Sequence, residues 1–308
     1  MTTALPHPPV SGATLPDLSI RQLEYLVAVD DAPTWSAAAA RVGVSASALS
    51  QGLSELERRI GVPLFDAVGR RRVLRPAARP VLDHARQVVA LTSDLVAWAD
   101  RVNGGRTGRL RVGMIDVAAV VHFPQVLRTF RADRPDVDLT LTVGPSRSLL
   151  DAVADGRLDV AIAVEGDEPT VGVTVTELMT EPLVVYGPPD TDVGRPATWG
   201  PWVLFPPESH TRRRVQAALV ERGAPIEVVA ESNQPDVLRE MVLLGLGWTV
   251  LPRSQGDDEG LSVGDVLLER DLVVARRSGS VRDPVVDDLV ARLVPGGPAT
   301  GDVDRLGR

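Results

Sequence analysis

The 308-residue chain contains no cysteine. That excludes a disulfide framework and a thiolate metal site. Lysine is also absent: all 33 basic residues are arginine. With the heavy load of Ala, Val, Gly and Pro, this usage points to a GC-rich bacterial genome. No apolar run approaches the roughly 20 residues of a spanning helix. The opening stretch MTTALPHPPVSGATLPDLS lacks a basic segment followed by a long apolar one, so it is not read as a secretory signal. Its Pro and Gly content reads as a disordered tail over residues 1–16, matched by a second over 296–308. A soluble, cytoplasmic protein is expected. Histidine is scarce, and His7, His84, His122 and His210 show no metal-ligand spacing. Ser209 and His210 are neighbours, but nothing supplies a nucleophile elbow or an orienting acid. GLGWTV lacks the third glycine of the dinucleotide fingerprint and reads as a helix end entering a strand. No catalytic residue, metal or cofactor is expected, and the chain is not read as an enzyme.

What is present is unevenly distributed. The net charge is −8, yet residues 17–111 hold 14 Arg against 10 Asp and Glu. Between Arg41 and Pro80 there are eight Arg and three acids, Glu55, Glu57 and Asp66. A basic amino-terminal module on an acidic body suggests a nucleic-acid-reading head with a different task behind it.

The head is helical. SIRQLEYLVAVDD spaces its apolar residues by three and four behind a capping Ser19. Thr34 can cap WSAAAARV, which Gly43 ends. Ser45 can cap a third helix running to about Ile60, with Gly61 as its stop. Two helices joined by Gly-Val-Ser form a helix-turn-helix. Val44, Leu49, Leu53, Leu56 and Ile60 share one face of the third helix. Ser45, Ser47, Ser50, Gln51, Ser54, Glu55 and Arg58 share the other. In GVPLFDAVGRRRVLRP, Leu64-Phe65 and Val73-Leu74 flank a turn around Gly69, giving a small hairpin or wing. Arg70, Arg71, Arg72 and Arg75 cluster there. A charge run is usually a solvated face, but beside a helix-turn-helix it fits phosphate contact.

From Ala77 to Val102 the pattern is helical. Val81, Ala85, Val88, Thr92, Leu95, Ala99 and Val102 follow 4-3 spacing, a heptad seam. Such a seam fits a helix joining two copies of the chain; the alternative is a helix packed on its own domain. NGGRTG reads as a hinge. Beyond it, strands alternate with helices, from RLRVGMI to a last helix around PVVDDLVARLV. Short connections imply α/β architecture with parallel crossovers.

These residues carry a family resemblance. RQLEYLVAV, WSAAAARVGVSASALSQGLSELERRIGVPLF and GRRRVLRPA, followed by GRLRVGM, RPDVDLTLTVG, DGRLDVAIAV and LLGLGWTVLP, resemble the LysR-type transcriptional regulators. The resemblance covers about Leu18 to Val294. It implies a winged helix-turn-helix over 17–76, a linker and dimerisation helix with hinge over 77–104, and an effector-binding domain over 105–295. That domain would be a two-lobed α/β fold shaped like periplasmic solute-binding proteins, with lobe I at about 108–166 plus 270–295 and lobe II at about 167–269. Implied partners are double-stranded promoter DNA, a small-molecule effector in the cleft, further copies as a dimer or dimer of dimers, and RNA polymerase. Implied DNA contacts are Thr34, Ser36, Ser45, Ala46, Ser47, Ser50, Gln51, Ser54, Arg58, Arg70, Arg71 and Arg72. Dimerisation would use Val81, Ala85, Val88, Leu95 and Val102. Cleft candidates are Asp116, Ser146, Ser209, His210, Asn233, Gln234, Trp248 and Thr249.

Two departures matter. The family's recognition helix commonly starts Ser-Gln-Pro or Ser-Gln-Ser, whereas this one starts Ser45-Ala46-Ser47. Gln reads adenine edges, at about 1–3 kcal/mol of discrimination, while Ala46 offers only a methyl to thymine. Gly52 follows Gln51 inside the helix, where Gly costs roughly 1 kcal/mol relative to Ala. An unusual operator preference is expected; the alternative is weak specificity resting on wing arginines and DNA shape. In GMIDVAAVV, Ile115 and Val117 stand where the family often places hydroxyls that hold an effector carboxylate. Asp116 either caps the next helix or lines a cleft that rejects carboxylates and takes an amine or apolar ligand. A cleft filled by the chain's own side chains is a further alternative. A solute-binding transport protein would need an export signal and no arginine-bearing head.

Overall fold

The computed structural model describes residues 17–68, 71–102, 108–256 and 260–294. The expected tails, the hinge at 103–107 and the tip of the wing, with Arg70, lie outside them, as do the side chains of Arg71 and Val102. The chain divides into two units, Met1–Val89 and Ala90–Arg308. No helix among the described residues is long and apolar enough to cross a membrane.

In the first unit, α1 spans Ile20–Asp31 and starts at Ser19, which forms a capping box with Gln22. Helix α2, Trp35–Arg41, is capped by Thr34. Helix α3, Ala46–Ile60, is capped by Ser45 and stops at Gly61, whose φ of 75° only glycine adopts without strain. Strands β1, Phe65–Val68, and β2, Arg71–Leu74, pair antiparallel with Phe65 opposite Leu74. A short 3₁₀ turn, Pro76–Ala78, leads into α4, Arg79–Val102. The core gathers Leu23 and Leu26 of α1, Ala38 and Ala39 of α2, Leu49, Leu53 and Leu56 of α3, and Leu64.

Helix α4 is shared between the units, and its seam divides with it. Leu82 and Ala85 are fully buried in the head's own core, and Val81, Val88 and Val89 pack half-buried against it. For this half the helix packs on the head core, with Ala85 fully buried in it. Farther along, Leu95, Val96 and Trp98 are 52%, 56% and 41% exposed.

The second unit continues with β3 (Arg109–Met114), α5 (Pro124–Asp133), β4 (Asp138–Val143), α6 (Ser146–Ala154) and β5 (Val160–Val164). Next come β6 (Val173–Gly187), β7 (Trp202–Leu204), α7 (His210–Glu221), β8 (Val228–Glu231) and α8 (Pro235–Leu243). The last elements are β9 (Thr249–Pro252), α9 (Arg253–Gly256), β10 (Ser262–Arg277) and α10 (Pro284–Leu293). One six-stranded sheet runs β4-β3-β5-β10-β6-β9, beside a two-stranded β7-β8 sheet. Parallel crossovers hold for β3 with β4 and β5, and for β7 with β8. They fail elsewhere, because β10 runs antiparallel to both β5 and β6, and β9 antiparallel to β6.

Strands β6 and β10 have 15 and 16 residues and carry two lobes between them. One core takes Leu178, Leu272 and Val274 together with Val112, Phe130, Ile162 and Leu289. It reaches along β6 past the expected boundary near 166. The other lobe places Leu183 and Val185 against Trp202, Leu219 and Trp248, and Val184 and Tyr186 against Leu238 and Leu251.

Candidate functional site

Periodicity decides what α3 presents. Leu49, Leu53 and Leu56 recur on the inward side and are fully buried. Ser45, Ala46, Ser47, Gln51, Ser54 and Arg58 are exposed, Ser50 is half-buried, and Thr34 and Ser36 are exposed at the start of α2. The two leading hydroxyls are not independent: Ser45 Oγ and Ser47 Oγ are hydrogen-bonded at 2.9 Å, while Ser45 Oγ also accepts from the Ala48 amide at 3.1 Å. Arg58 is engaged as well, donating to Glu55 at 2.7 and 2.5 Å. Arg58's hydrogen bonds, then those of Arg59, hold the Glu55 carboxyl down to about 2. Glu55 is therefore ionised at any ordinary assay pH, and a DNA phosphate must compete with it for Arg58.

The wing is fixed by Arg72 and Arg75 of the expected cluster together with Glu57 and Trp35, to which the sequence assigned no such role. Glu57 Oε1 accepts from the amides of Leu64 at 2.8 Å and Phe65 at 3.3 Å. An acid in the last turn of a helix opposes the macrodipole, which was the available hint of another task. The Arg72 guanidinium lies over the Trp35 ring at 5.3 Å, and Trp35 meets Phe65 edge-on at 5.1 Å. Arg75 pairs with Asp66 at 2.7 Å. The start of α2 and the hairpin thus form one packed group.

Gly52 acquires a physical reason. A Cβ there would lie 2.7 Å from two ring carbons of Tyr25, so glycine admits the ring against α3. Gly52→Ala should lower the stability of the head despite the roughly 1 kcal/mol of helix propensity it gains. In a Tyr25→Ala background the same change should be neutral or stabilising. Thermal unfolding of the four chains of that cycle measures the coupling; zero coupling refutes the contact's role.

The second candidate site lies in the two-lobed unit. Asp116 does not serve as a simple helix cap: its carboxylate accepts from Gln255 Nε2 of α9 at 2.5 Å. The π-helical turn that follows, Ala118–His122, has no side-chain cap. Ser146 Oγ accepts from the Val164 amide at 3.0 Å, tying α6 to the end of β5. Ser209 caps α7. His210 is buried against Gly166, where a Cβ would stand 2.7 Å from Cε1, and its Nδ1 has no hydrogen-bond partner among the described residues. Thr249 is fully buried, and its hydroxyl has no partner among the described residues. Trp248 is packed with Trp199 and Trp202, ring centroids 6.2 and 6.4 Å away. Its surroundings are those of a core residue. Asn233 and Gln234 are exposed before α8.

A buried ionic network crosses between the lobes, and nothing in the sequence reading anticipated it. Glu181 of β6 faces Arg270 of β10 across the strand pair. Arg270 donates to Glu181 through Nε at 2.7 Å and pairs through Nη2 at 2.6 Å. Glu181 Oε2 lies 2.9 Å from His122 Nε2, and Arg270 Nη1 donates to Thr211 Oγ1 at 2.9 Å. His122 follows β3, and Thr211 opens α7. Burial alone would raise the Glu181 carboxyl. The His122 hydrogen bond and the Arg270 charge outweigh it and hold the group below its ordinary value.

Comparison with known proteins agrees with this architecture. Residues 20–79 match the family described as "Bacterial regulatory helix-turn-helix protein, lysR family". Residues 103–296 match the one described as "LysR substrate binding domain". The chain is 29% identical to the HTH-type transcriptional regulator CbbR of Rhodospirillum rubrum, over 89% of this chain and 95% of that one. It is 30% identical to a probable hydrogen peroxide-inducible genes activator of Streptomyces viridosporus, over 89% and 93%. Among solved structures, a full-length OxyR variant from Pseudomonas aeruginosa shares the fold, with a TM-score of 0.65 at 23% identity over 90% and 94%. Full-length CbnR complexed with its target DNA aligns with a TM-score of 0.57 at 17% identity over 90% and 99%. With both of its units matched in order, the chain belongs to the LysR family of transcriptional regulators.

Proposed function

We propose that this regulator binds promoter DNA by placing the outward face of α3 in the major groove and the wing arginines on phosphate. The observation that carries the reading is that face: short, exposed side chains on a helix whose other side is locked into the head core. In this reading the chain works in the cytoplasm as a homo-oligomer, with RNA polymerase as a further partner. An effector enters between the lobes, beside Asp116, His210 and the His122–Glu181–Arg270 network. A second reading, a cleft closed on its own side chains, is favoured by the Asp116–Gln255 bond. Footprinting on DNA flanking the chain's own gene, repeated with a metabolite panel, separates the two. A thiol-based response is closed to this chain, which has no cysteine.

The DNA assignment has a direct test. Arg72→Ala should weaken binding to all sequences alike and flatten the dependence of log affinity on log salt by about one unit. Ser47→Ala should alter sequence preference more than general affinity. An unchanged salt slope would sink the wing assignment, and equal losses on operator and random DNA would sink that of Ser47.

A further inference from the structure

A cavity of about 560 Å3 opens in the carboxy-terminal unit at the opposite end of β3 from Asp116. Its walls come from the start of β3, the end of β10 with the turn after it, and the residues of α4 around Asp94. Five arginines line it: Arg109, Arg111, Arg276, Arg277 and Arg282. Only three acids do, namely Asp94, Asp159 and Asp283. Arg111 is paired with Asp159 at 2.5 Å. Arg277 is buried, paired with Asp94 at 2.7 Å, and donates to the Val153 carbonyl. Arg276 pairs with Asp287, and Asp283 caps α10. Arg109 and Arg282 are exposed and have no ion-pair partner among the described residues.

We infer that this cavity is a binding site for a phosphate ester of a small polar metabolite, separate from the interlobe cleft. With Arg111, Arg276 and Arg277 each paired to an aspartate, Arg109 and Arg282 stand against Asp283 alone, a formal excess of one positive charge that favours an oxyanion. Guanidinium groups donate two parallel hydrogen bonds to such oxyanions. The volume exceeds what a bare phosphate fills and falls in the roughly 300–1,000 Å3 range of small-molecule pockets. The Thr176 hydroxyl on the wall suits a hydroxylated body, while those of Thr174 and Ser280 are engaged with Ser278 and the Arg277 carbonyl. The occupant would lie beside the Arg277–Asp94 contact, which ties α4 to the end of β10.

Calorimetric titration of the full chain tests this, using glucose 6-phosphate and inorganic phosphate as probes and glucose and sodium chloride at matched ionic strength as controls. Saturable binding of both phosphate probes, and none of glucose, is expected. Arg109→Ala with Arg282→Ala should weaken binding at least about tenfold, since two charged contacts are removed. Asp94→Asn removes a negative charge from the wall and should tighten binding several-fold, a gain that a folding defect cannot mimic. No saturable heat with either phosphate probe overturns the inference. So does unchanged affinity in the double variant, or binding lost in Gln255→Ala but kept in the double variant, which would place the ligand in the cleft.

Discussion

Arg270→Met should destabilise the carboxy-terminal unit by about 3–5 kcal/mol, the usual cost of stranding one partner of a buried ion pair. Arg270 and Glu181 are both almost wholly buried, so solvent cannot replace the lost cation. The variant leaves Glu181 with His122 alone. Adding Glu181→Leu should recover most of the loss, because removing both charges also removes their desolvation. The effect has a pH signature. Glu181's pKa is lower in the folded chain than in the unfolded one. Its stabilisation is thus complete above the unfolded carboxyl's pKa and is lost as the pH falls through the folded value. The difference between wild type and Arg270→Met should therefore shrink in acid. Denaturant titration followed by tryptophan fluorescence reports it, since Trp199, Trp202 and Trp248 lie in the second-lobe cores. A pH-independent loss below about 1 kcal/mol would show that the network is not what holds this region.

Leu95→Asp should yield monomers whose operator affinity is lower by about 10²–10⁴-fold, the loss expected when two linked heads no longer bind together. Leu95, Val96 and Trp98 form an exposed apolar stretch on the carboxy-terminal half of α4, the kind of surface that marks a protein contact. Val88→Asp is a poorer probe, because Val88 packs partly against the head core and its loss would perturb the fold itself. Light scattering and quantitative footprinting decide the matter: a fully dimeric Leu95→Asp chain refutes the assignment.

The head was legible because its signals are local. Ser19, Thr34 and Ser45 cap the helices that their neighbours begin, and 3.6-residue spacing sorted α3 into two faces. Glycine 52 was legible only as an anomaly, since its reason is a tyrosine 27 positions away. The two long strands were half-read. PLVVYGP and DLVVARR are the apolar portions of β6 and β10. Much of VTVTELMTE is exposed and SVGDVLLER alternates, so no apolar run announced a strand. Their mutual hydrogen bonding supplies what propensity does not. The Glu181–Arg270 pair spans 89 positions, and no periodicity links residues so distant.

The paired β6 and β10 also set what kind of movement is open to the lobes. Register runs from Ser262 opposite Gly187 to Arg277 opposite Val173, with irregularities at Val263/Val266, Val266/Leu268 and Leu272/Val273. Sliding one strand by a single residue would turn every buried side chain of the ribbon outward. Torsion about the ribbon's long axis breaks no hydrogen bond, and the bulges are where a strand bends most readily. The ribbon is therefore a torsion bar rather than a loop hinge. Any rotation of one lobe against the other therefore has to turn both strands together.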